Sequence, residues 1–336
     1  AEARVKEAEA QLAAAREAAA AAEQPLHAVA FSAEGGLLAA GGEDRLVRLW
    51  SSETGAAVDT ITGHNAPVHG LAFAGLRLAT AAPDGAAIVW NTSPEWTWIR
   101  TLSPSTGVML VDRVTALDFS PDGSLLAAGS GDPSRSGQLV ILNPADGTVV
   151  RELPDAHSDT VLGVEFSPDG VYLASCGADK FVKVFETATG SFVKAFEGHT
   201  HHVLGVSWRA DGKVLASCGA DNAVKVWDFT SGEQRTTIGG FGKEVTSIQF
   251  IAEGSLILTS CGDRLVRRHN VDNGQNTVNY GGGADFMYAA ATTPDGKIHV
   301  AGGQDSVLRV WNGDNGQALF NFEPPPQTPP PAQAAR

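Results

Sequence analysis

EGHTHHVLGVSWRADGKVLASCGADNAVKVWDFTSGEQRTTI, residues 197–238, decides the fold. VLGVSW alternates apolar and polar residues, the pattern of a strand with two unlike faces. Ala210-Asp211-Gly212 then makes a tight turn, because Asp bonds its own backbone and Gly accepts a positive φ. VLASC is a second strand, Ala220-Asp221-Asn222 a turn, AVKVW a third strand and QRTTI a fourth. Four antiparallel strands make one blade. A single blade cannot bury both of its faces, so it must stack on others.

The rest of the chain repeats this unit. The residues closing the third strand are Trp50, Trp90, Leu142, Phe185, Trp227, His269 and Trp311, spaced by 40, 52, 43, 42, 42 and 42 residues. A period near 42 made only of strands and turns predicts an all-β, seven-bladed β-propeller. The blades fall at about 25–60, 61–101, 102–152, 153–196, 197–238, 239–280 and 281–323. Blade one starts at an innermost strand and blade seven ends with its own outer strand, so closure is expected without strand exchange.

Here the chain resembles the WD-repeat family. Gly198-His199 and Trp227-Asp228 are similar to its two signature dipeptides. The resemblance implies a buried polar chain through His199, Ser217, Asp221 and Trp227, and a second through His64, Thr80, Asp84 and Trp90. Unit four keeps His157, Ser175 and Asp179 but carries Phe185; units one, three, six and seven lack the leading His. A buried indole N–H and a buried imidazole both need partners, so these residues read as structural, not catalytic.

More narrowly, DAHSDTVLGVEFSPDG, ADKFVKVFETATG, FEGHTHHVLGVSWRADG and GADNAVKVWD resemble propellers of a planctomycete-type group. There such propellers follow an Ala/Glu-rich coiled coil and a c-type cytochrome domain. That likeness implies a bacterial, multidomain envelope or periplasmic protein. No haem segment stands in this sequence, and no cofactor is expected.

Composition narrows the partners. The 336 residues carry a formal net charge of −14, which repels nucleic acid and anionic membranes. No apolar run is long enough for a transmembrane helix, and no signal peptide is visible. Ala1 in place of an initiator Met reads as a processed protein or a fragment. Cys176, Cys218 and Cys261 occupy equivalent places on second strands and are expected to be buried, free thiols. Free thiols lean toward a reducing, cytoplasmic compartment, against the envelope reading.

Residues 1–24 are nearly all good helix formers, with Val5, Leu12 and Ala19 seven apart. They read as an exposed helix or the end of a coiled coil with its own partner. Residues 324–336, PPPQTPPPAQAAR, read as a disordered tail favouring an extended polyproline conformation, or as a docking motif.

Function points to the top rim, where first strands begin. Aligning the units places His27, His69, Thr115, Leu162, Leu204, Thr246 and Tyr288 at its inner edge. Two residues earlier come Pro67, Arg113, Thr160, His202, Glu244 and Phe286. Exposed Leu162, Leu204, Phe286 and Tyr288 are expected to form a partly aromatic patch, the mark of a protein-binding surface. Irregularities gather over blade three, at 103–113 and 129–138. Trp96 and Trp98 share a face of blade two's outer strand and read as cover for its neighbour. His199, His201 and His202 make no metal set, since His201 and His202 are expected to point apart. The alternative function is a ligand-binding or enzymatic site in the central channel, which needs convergent carboxylates that the predicted inner positions do not offer.

Overall fold

The computed structural model describes residues 24–32, 34–91, 97–103, 110 and 112–322. Most of the 1–24 segment, the 324–336 tail, Trp96 and most of the 103–113 insertion lie outside the described residues. Among the described residues, numbered in chain order, 28 strands form seven sheets of four, and each sheet is built of four consecutive strands. The first strands are β1 (Leu26–Phe31), β5 (Gly70–Ala74), β9 (Arg113–Phe119), β13 (Val161–Phe166), β17 (Val203–Trp208), β21 (Val245–Ile251) and β25 (Met287–Thr292). Each touches the first strand of the next blade, and β25 touches β1, so they line the axis of a closed ring. Every strand pair within a blade is antiparallel, from β1 with its neighbour to the outer strand of blade seven, β28 (Ala318–Phe322).

The core is distributed. Seven apolar clusters of buried residues fill the seven gaps between adjacent blades. Second strands are the most buried elements, because both of their faces press on neighbouring blades; LAAGSG at Leu126–Gly131 and VLASCG at Val214–Gly219 are buried at all six positions. This is why alternation fades there while the first strands keep it. The three cysteines sit in these strands, buried and free.

Blade one and blade seven each hold their own four strands, so no strand is exchanged at the seam. Closure rests on packing of Leu26, Leu38 and Ala40 against Ala291, Val300, Leu308 and Val310. Trp50 and Phe322 lean together across it, ring centroids 5.3 Å apart.

Two expectations about blade three change. Its loop is only residues 132–136, since 129–131 and 137–138 pair within the strands Leu126–Gly131 and Gly137–Leu142. Its outer strand, β12 (Val149–His157), runs past the expected boundary, because Gly137 pairs with His157.

Two bulges recur. One falls just before the residue that closes the third strand in all seven blades, from Leu49/Trp50 to Val310/Trp311. The other lies at the start of the first strand in six blades, and the residue it leaves unpaired is His27, Thr115, Leu162, Leu204, Thr246 or Tyr288. An unpaired bulge residue is re-aimed out of the pleat. The inner-edge positions of the top rim are thus made by a backbone device. His69 holds the equivalent place in blade two, just ahead of β5, with its N–H donated to Ala81.

Candidate functional site

In every blade but the third, the top turn between second and third strands carries an aspartate whose carboxylate accepts a backbone N–H; in blade three the Ser134 N–H goes to Asp159 instead. Asp84, Asp179, Asp263 and Asp305 accept the N–H two residues on, which supports a residue with positive φ between: Gly85, Lys180, Arg264 and Ser306. The second oxygen accepts an N–H from the segment entering the blade: Asn65, Ser158, Gly242 and Ala284.

The remaining partner differs between blades. In blade five, His199 Nδ1 lies 2.9 Å from Asp221, its Nε2 2.9 Å from Ser217 Oγ, and Trp227 Nε1 donates to that hydroxyl at 2.9 Å. Blade two has His64, Asp84, Thr80 and Trp90 at 3.0, 2.8 and 3.1 Å. In blade four, His157 reaches Asp179 and Ser175 at 2.9 and 2.8 Å, and Phe185 offers no N–H. Blades one, six and seven use an arginine four residues after the aspartate instead. Arg48, Arg267 and Arg309 stand 2.5, 2.6 and 2.7 Å from Asp44, Asp263 and Asp305. Burial opposes ionisation of Asp305, yet the Arg309 bond and the Ala284 N–H outweigh it and its pKa falls. The Asp-x-x-x-Arg spacing was there to be read in the sequence. Phe241 takes the histidine's place in blade six, and the Arg267 guanidinium lies over its ring at 5.2 Å.

At the top rim, rings from three blades join. Phe286 and Tyr288 have centroids 5.0 Å apart; Tyr288 meets His27 edge-on at 4.9 Å; His27 stacks on His69 at 4.4 Å and 17°. Polar groups frame this ladder. Tyr288 Oη donates to Gln304 at 2.7 Å, His27 Nε2 lies 3.0 Å from Glu43, and Lys243 Nζ sits over Phe286 at 5.7 Å. Burial, then the neighbouring His27, press the pKa of His69 down to about 4, and Arg113 adds to this while Glu43 opposes it. The His69 imidazole is therefore neutral near neutral pH.

The other rim residues behave differently. Thr115 and Thr246 turn back into the ring: Thr115 Oγ1 bonds the Val161 carbonyl and Thr246 Oγ1 the Met287 carbonyl. Leu162 and Leu204 lie across the ring in blades four and five. They are half-buried, as are Phe286 and Tyr288, so the expected exposed patch is a partly sunken one. Arg113 and His202 are exposed, and Glu244 is half-buried. His201 and His202 do not point apart: their rings touch at 4.4 Å, and His201 Nδ1 accepts the His202 N–H. No group of three or more His, Cys, Asp or Glu that suits a metal occurs among the described residues. Trp98 is 60 % exposed rather than covering the next blade, its indole N–H on Thr101.

Sequence reading weighed the channel but missed the carboxylates that line it, Asp118 and Glu165. The channel's lower part is a cavity of about 640 Å³ lined by Asp118, Glu165, Ser207 and Gln249 on one arc and by Ala30, Ala291, Phe31 and Phe73 on the other. The four polar side chains occupy one equivalent position in blades three to six. Each accepts a backbone N–H of the next blade: Asp118 from Phe166 at 2.7 Å, Glu165 from Trp208 at 2.9 Å, Ser207 from Phe250 at 3.1 Å and Gln249 from Thr292 at 3.0 Å. Burial raises the Asp118 pKa to about 7, against the pull of the Phe166 and Phe119 N–H groups. Burial, and then the Asp118 charge, push Glu165 well above the carboxylate range. The signal available was the acid standing directly before the closing Phe of a first strand, in LDF and VEF.

The family model for the WD domain, G-beta repeat, matches residues 20–51, 100–134, 147–186, 190–228, 232–270 and 276–312, more than half of the chain. The chain belongs to the WD-repeat family. Blade two, apart from the end of its outer strand, falls outside the matched segments, although it carries a full histidine network. WD-repeat relatives include the Periodic tryptophan protein 2 homolog of Mus musculus, 26% identical over 191 residues, 50% of this chain and 20% of that protein. The WD repeat-containing protein SL1-17 of Schistosoma mansoni is 32% identical over 168 residues, 49% of this chain and 52% of that one. WD repeat-containing protein 1 of Gallus gallus is 32% identical over 155 residues, 45% and 24% of the two chains. The matched region spans about half or less of these relatives' lengths.

Proposed function

We propose that this WD-repeat propeller is a non-catalytic protein-interaction scaffold that holds its partner on the top rim, over blades seven, one and two. The observation that carries this reading is the ring ladder Phe286–Tyr288–His27–His69. Aromatic groups of low rotamer entropy, half-desolvated and framed by polar groups, are what hot spots of protein interfaces are made of. Arg113, Glu244 and Glu43 form the polar edge of the same surface, and Leu162, His202 and Leu204 extend it across the channel mouth. The histidine and arginine networks that cap the turns below give the rim a rigid floor. Membership of a larger bacterial assembly belongs to this proposal on the likeness of the segments quoted above; the relatives named here are eukaryotic.

The test is a titration against the co-purified partner. Tyr288→Ala and His27→Ala are expected to weaken binding by tenfold or more, about 1.4 kcal/mol, while melting within a few degrees of the parent. Unchanged binding in Tyr288→Ala sinks the reading.

A second reading has its own observation, the paired carboxylates Asp118 and Glu165 in the channel cavity. It assigns a small ligand to the channel. A loss of ligand binding in Asp118→Asn with partner binding intact favours it.

A further inference from the structure

We propose that the contact between blades six and seven is an acid-operated latch with His299 as its trigger. Protonation of this one imidazole releases the grip of Tyr280 and Arg268 on blade seven and loosens the ring at that gap.

The repeat itself marks this residue as an exception. Each second strand places one side chain opposite the residue that closes the third strand. In blades one to six it is Leu38, Leu78, Leu126, Leu173, Leu215 or Ile257. In blade seven it is His299, opposite Trp311. The imidazole is fully buried, and neither ring nitrogen has a hydrogen-bond partner among the described residues. Such a group costs stability that a leucine would not. From blade six, Tyr280 of β24 (Asn276–Tyr280) meets the ring edge-on at 5.0 Å. From its own blade, the turn at Gly313 packs directly on it: a Cβ there would stand 3.0 Å from His299 Nε2 and 2.1 Å from the Gly296 carbonyl.

The same turn is where blade six holds blade seven. The Gly313 carbonyl accepts the Tyr280 hydroxyl at 2.7 Å and Arg268 Nη1 at 2.6 Å. Blades two, three and four clasp the next blade in a like manner, Arg100 donating to the Ala145 carbonyl, Arg151 to Ala188 and Lys194 to Phe229. The second-strand residues of those clasped blades are Leu126, Leu173 and Leu215, which never change charge. The titratable groups facing His299 are Arg268 and Tyr280 from blade six and Asp314 from its own blade. Tyr280, pushed up to about 12 by burial, stays neutral. Burial, and then the Arg268 charge, press the His299 pKa down to about 4, outweighing the Ile298 backbone and Asp314. A proton on His299 therefore makes a cation that needs water and sits against a guanidinium. Both penalties relax when the Gly313 turn parts from blade six. The unfolded chain takes up this proton near 6.5 and the folded chain only near 4, so the stability is complete above 6.5 and lost as pH falls through about 4.

The experiment compares the full chain with His299→Leu and His299→Gln over that range. Leucine already fills the equivalent place in five blades, and glutamine stays polar but takes no charge. His69 and His269 are also pressed down to about 4, so the acid loss of the parent is shared and only its difference from the variants reads the latch. As pH falls from 6.5 to below 4, the folded-to-unfolded ratio of the parent is expected to drop by roughly a hundredfold more than that of either variant. Hydrogen exchange, corrected for its intrinsic pH dependence, is expected to show Asn276–Tyr280 and Ile298–Gly303 losing more protection on acidification than the strands of other blades, and keeping it in both variants. A parent-to-variant difference that stays constant with pH overturns the proposal and leaves His299 as packing alone. Acid loss of protection spread evenly around the ring, or undiminished in the variants, overturns it too.

Discussion

A single hydroxyl ties two rings together in blade five. Ser217 Oγ faces both His199 Nε2 and Trp227 Nε1, all of them buried. Ser217→Ala leaves both nitrogens without that partner, at a cost of roughly 2–4 kcal/mol, read as a lower denaturation midpoint at unchanged slope. Ser217→Thr keeps the hydroxyl and recovers most of it. Asp118 makes a different prediction, through pH. Its pKa is raised from 3.8 to about 7 in the folded state. The folded chain therefore holds a proton that the unfolded chain releases, and the resulting stability is complete below 3.8 and lost as pH rises through about 7. Asp118→Asn can still accept the Phe166 N–H and has no proton to lose. Its stability relative to the parent is expected to rise by roughly 2–4 kcal/mol between acid and mildly alkaline pH. Parallel denaturation curves across that range contradict it.

At the scale of the element, the top turns show one requirement met in two ways. A partly buried aspartate that caps a turn needs a counter-group, and the fold accepts either a histidine entering ahead of the blade or an arginine one pleat along the third strand. Arg309→Leu leaves the Asp305 carboxylate with backbone donors only, costing about 3 kcal/mol. Because the Asp305 pKa is depressed, the lost stability is the part present above its unfolded value of 3.8. The difference between variant and parent should shrink as pH falls below that value. A constant difference places the loss in packing of the arginine stem instead. The histidine version was legible because it stands in Gly-His and Trp-Asp marks. The arginine version carries an equally regular spacing, but an arginine on an amphipathic strand reads as a solvated charge until a carboxylate is seen opposite it. The bulges that aim His27 and Tyr288 were less legible still. A bulge is a mismatch between two strands, and neither strand's residues declare it alone.

At the scale of the whole molecule, the ring is unevenly fastened. The inner belt of side-chain acceptors crosses the gaps from blade three to blade seven. Ala291, Ala30 and Ala72 hold the equivalent positions in blades seven, one and two and offer no acceptor. The seam falls in that arc and closes mainly by apolar packing, with the Gln24 N–H donated to Ser306 Oγ at 2.6 Å across it. Native-state hydrogen exchange is expected to show β1 and β25 opening at lower free energy than β17. Leu26→Ala, cutting into the seam cluster, is expected to cost about 2–5 kcal/mol and to lower protection there first. Uniform protection around the ring runs against this account. The aromatic ladder stands on the same arc, where a partner bound there would brace the weakest closure.

The sequence by itself determined the repeat, the number of blades and the turn residues, and through its resemblance to the family it pointed to the partners of His64, His157 and His199. These depend on local periods and on donors at fixed spacings within one unit, and a period survives in one dimension. Only the tertiary structure decided which blades meet. Closing the ring set His27 against both Tyr288 and His69 and brought Glu165 under the charge of Asp118. Those contacts join residues tens to hundreds of positions apart through the curvature of the ring, and no single unit encodes a curvature that exists only once all seven are packed.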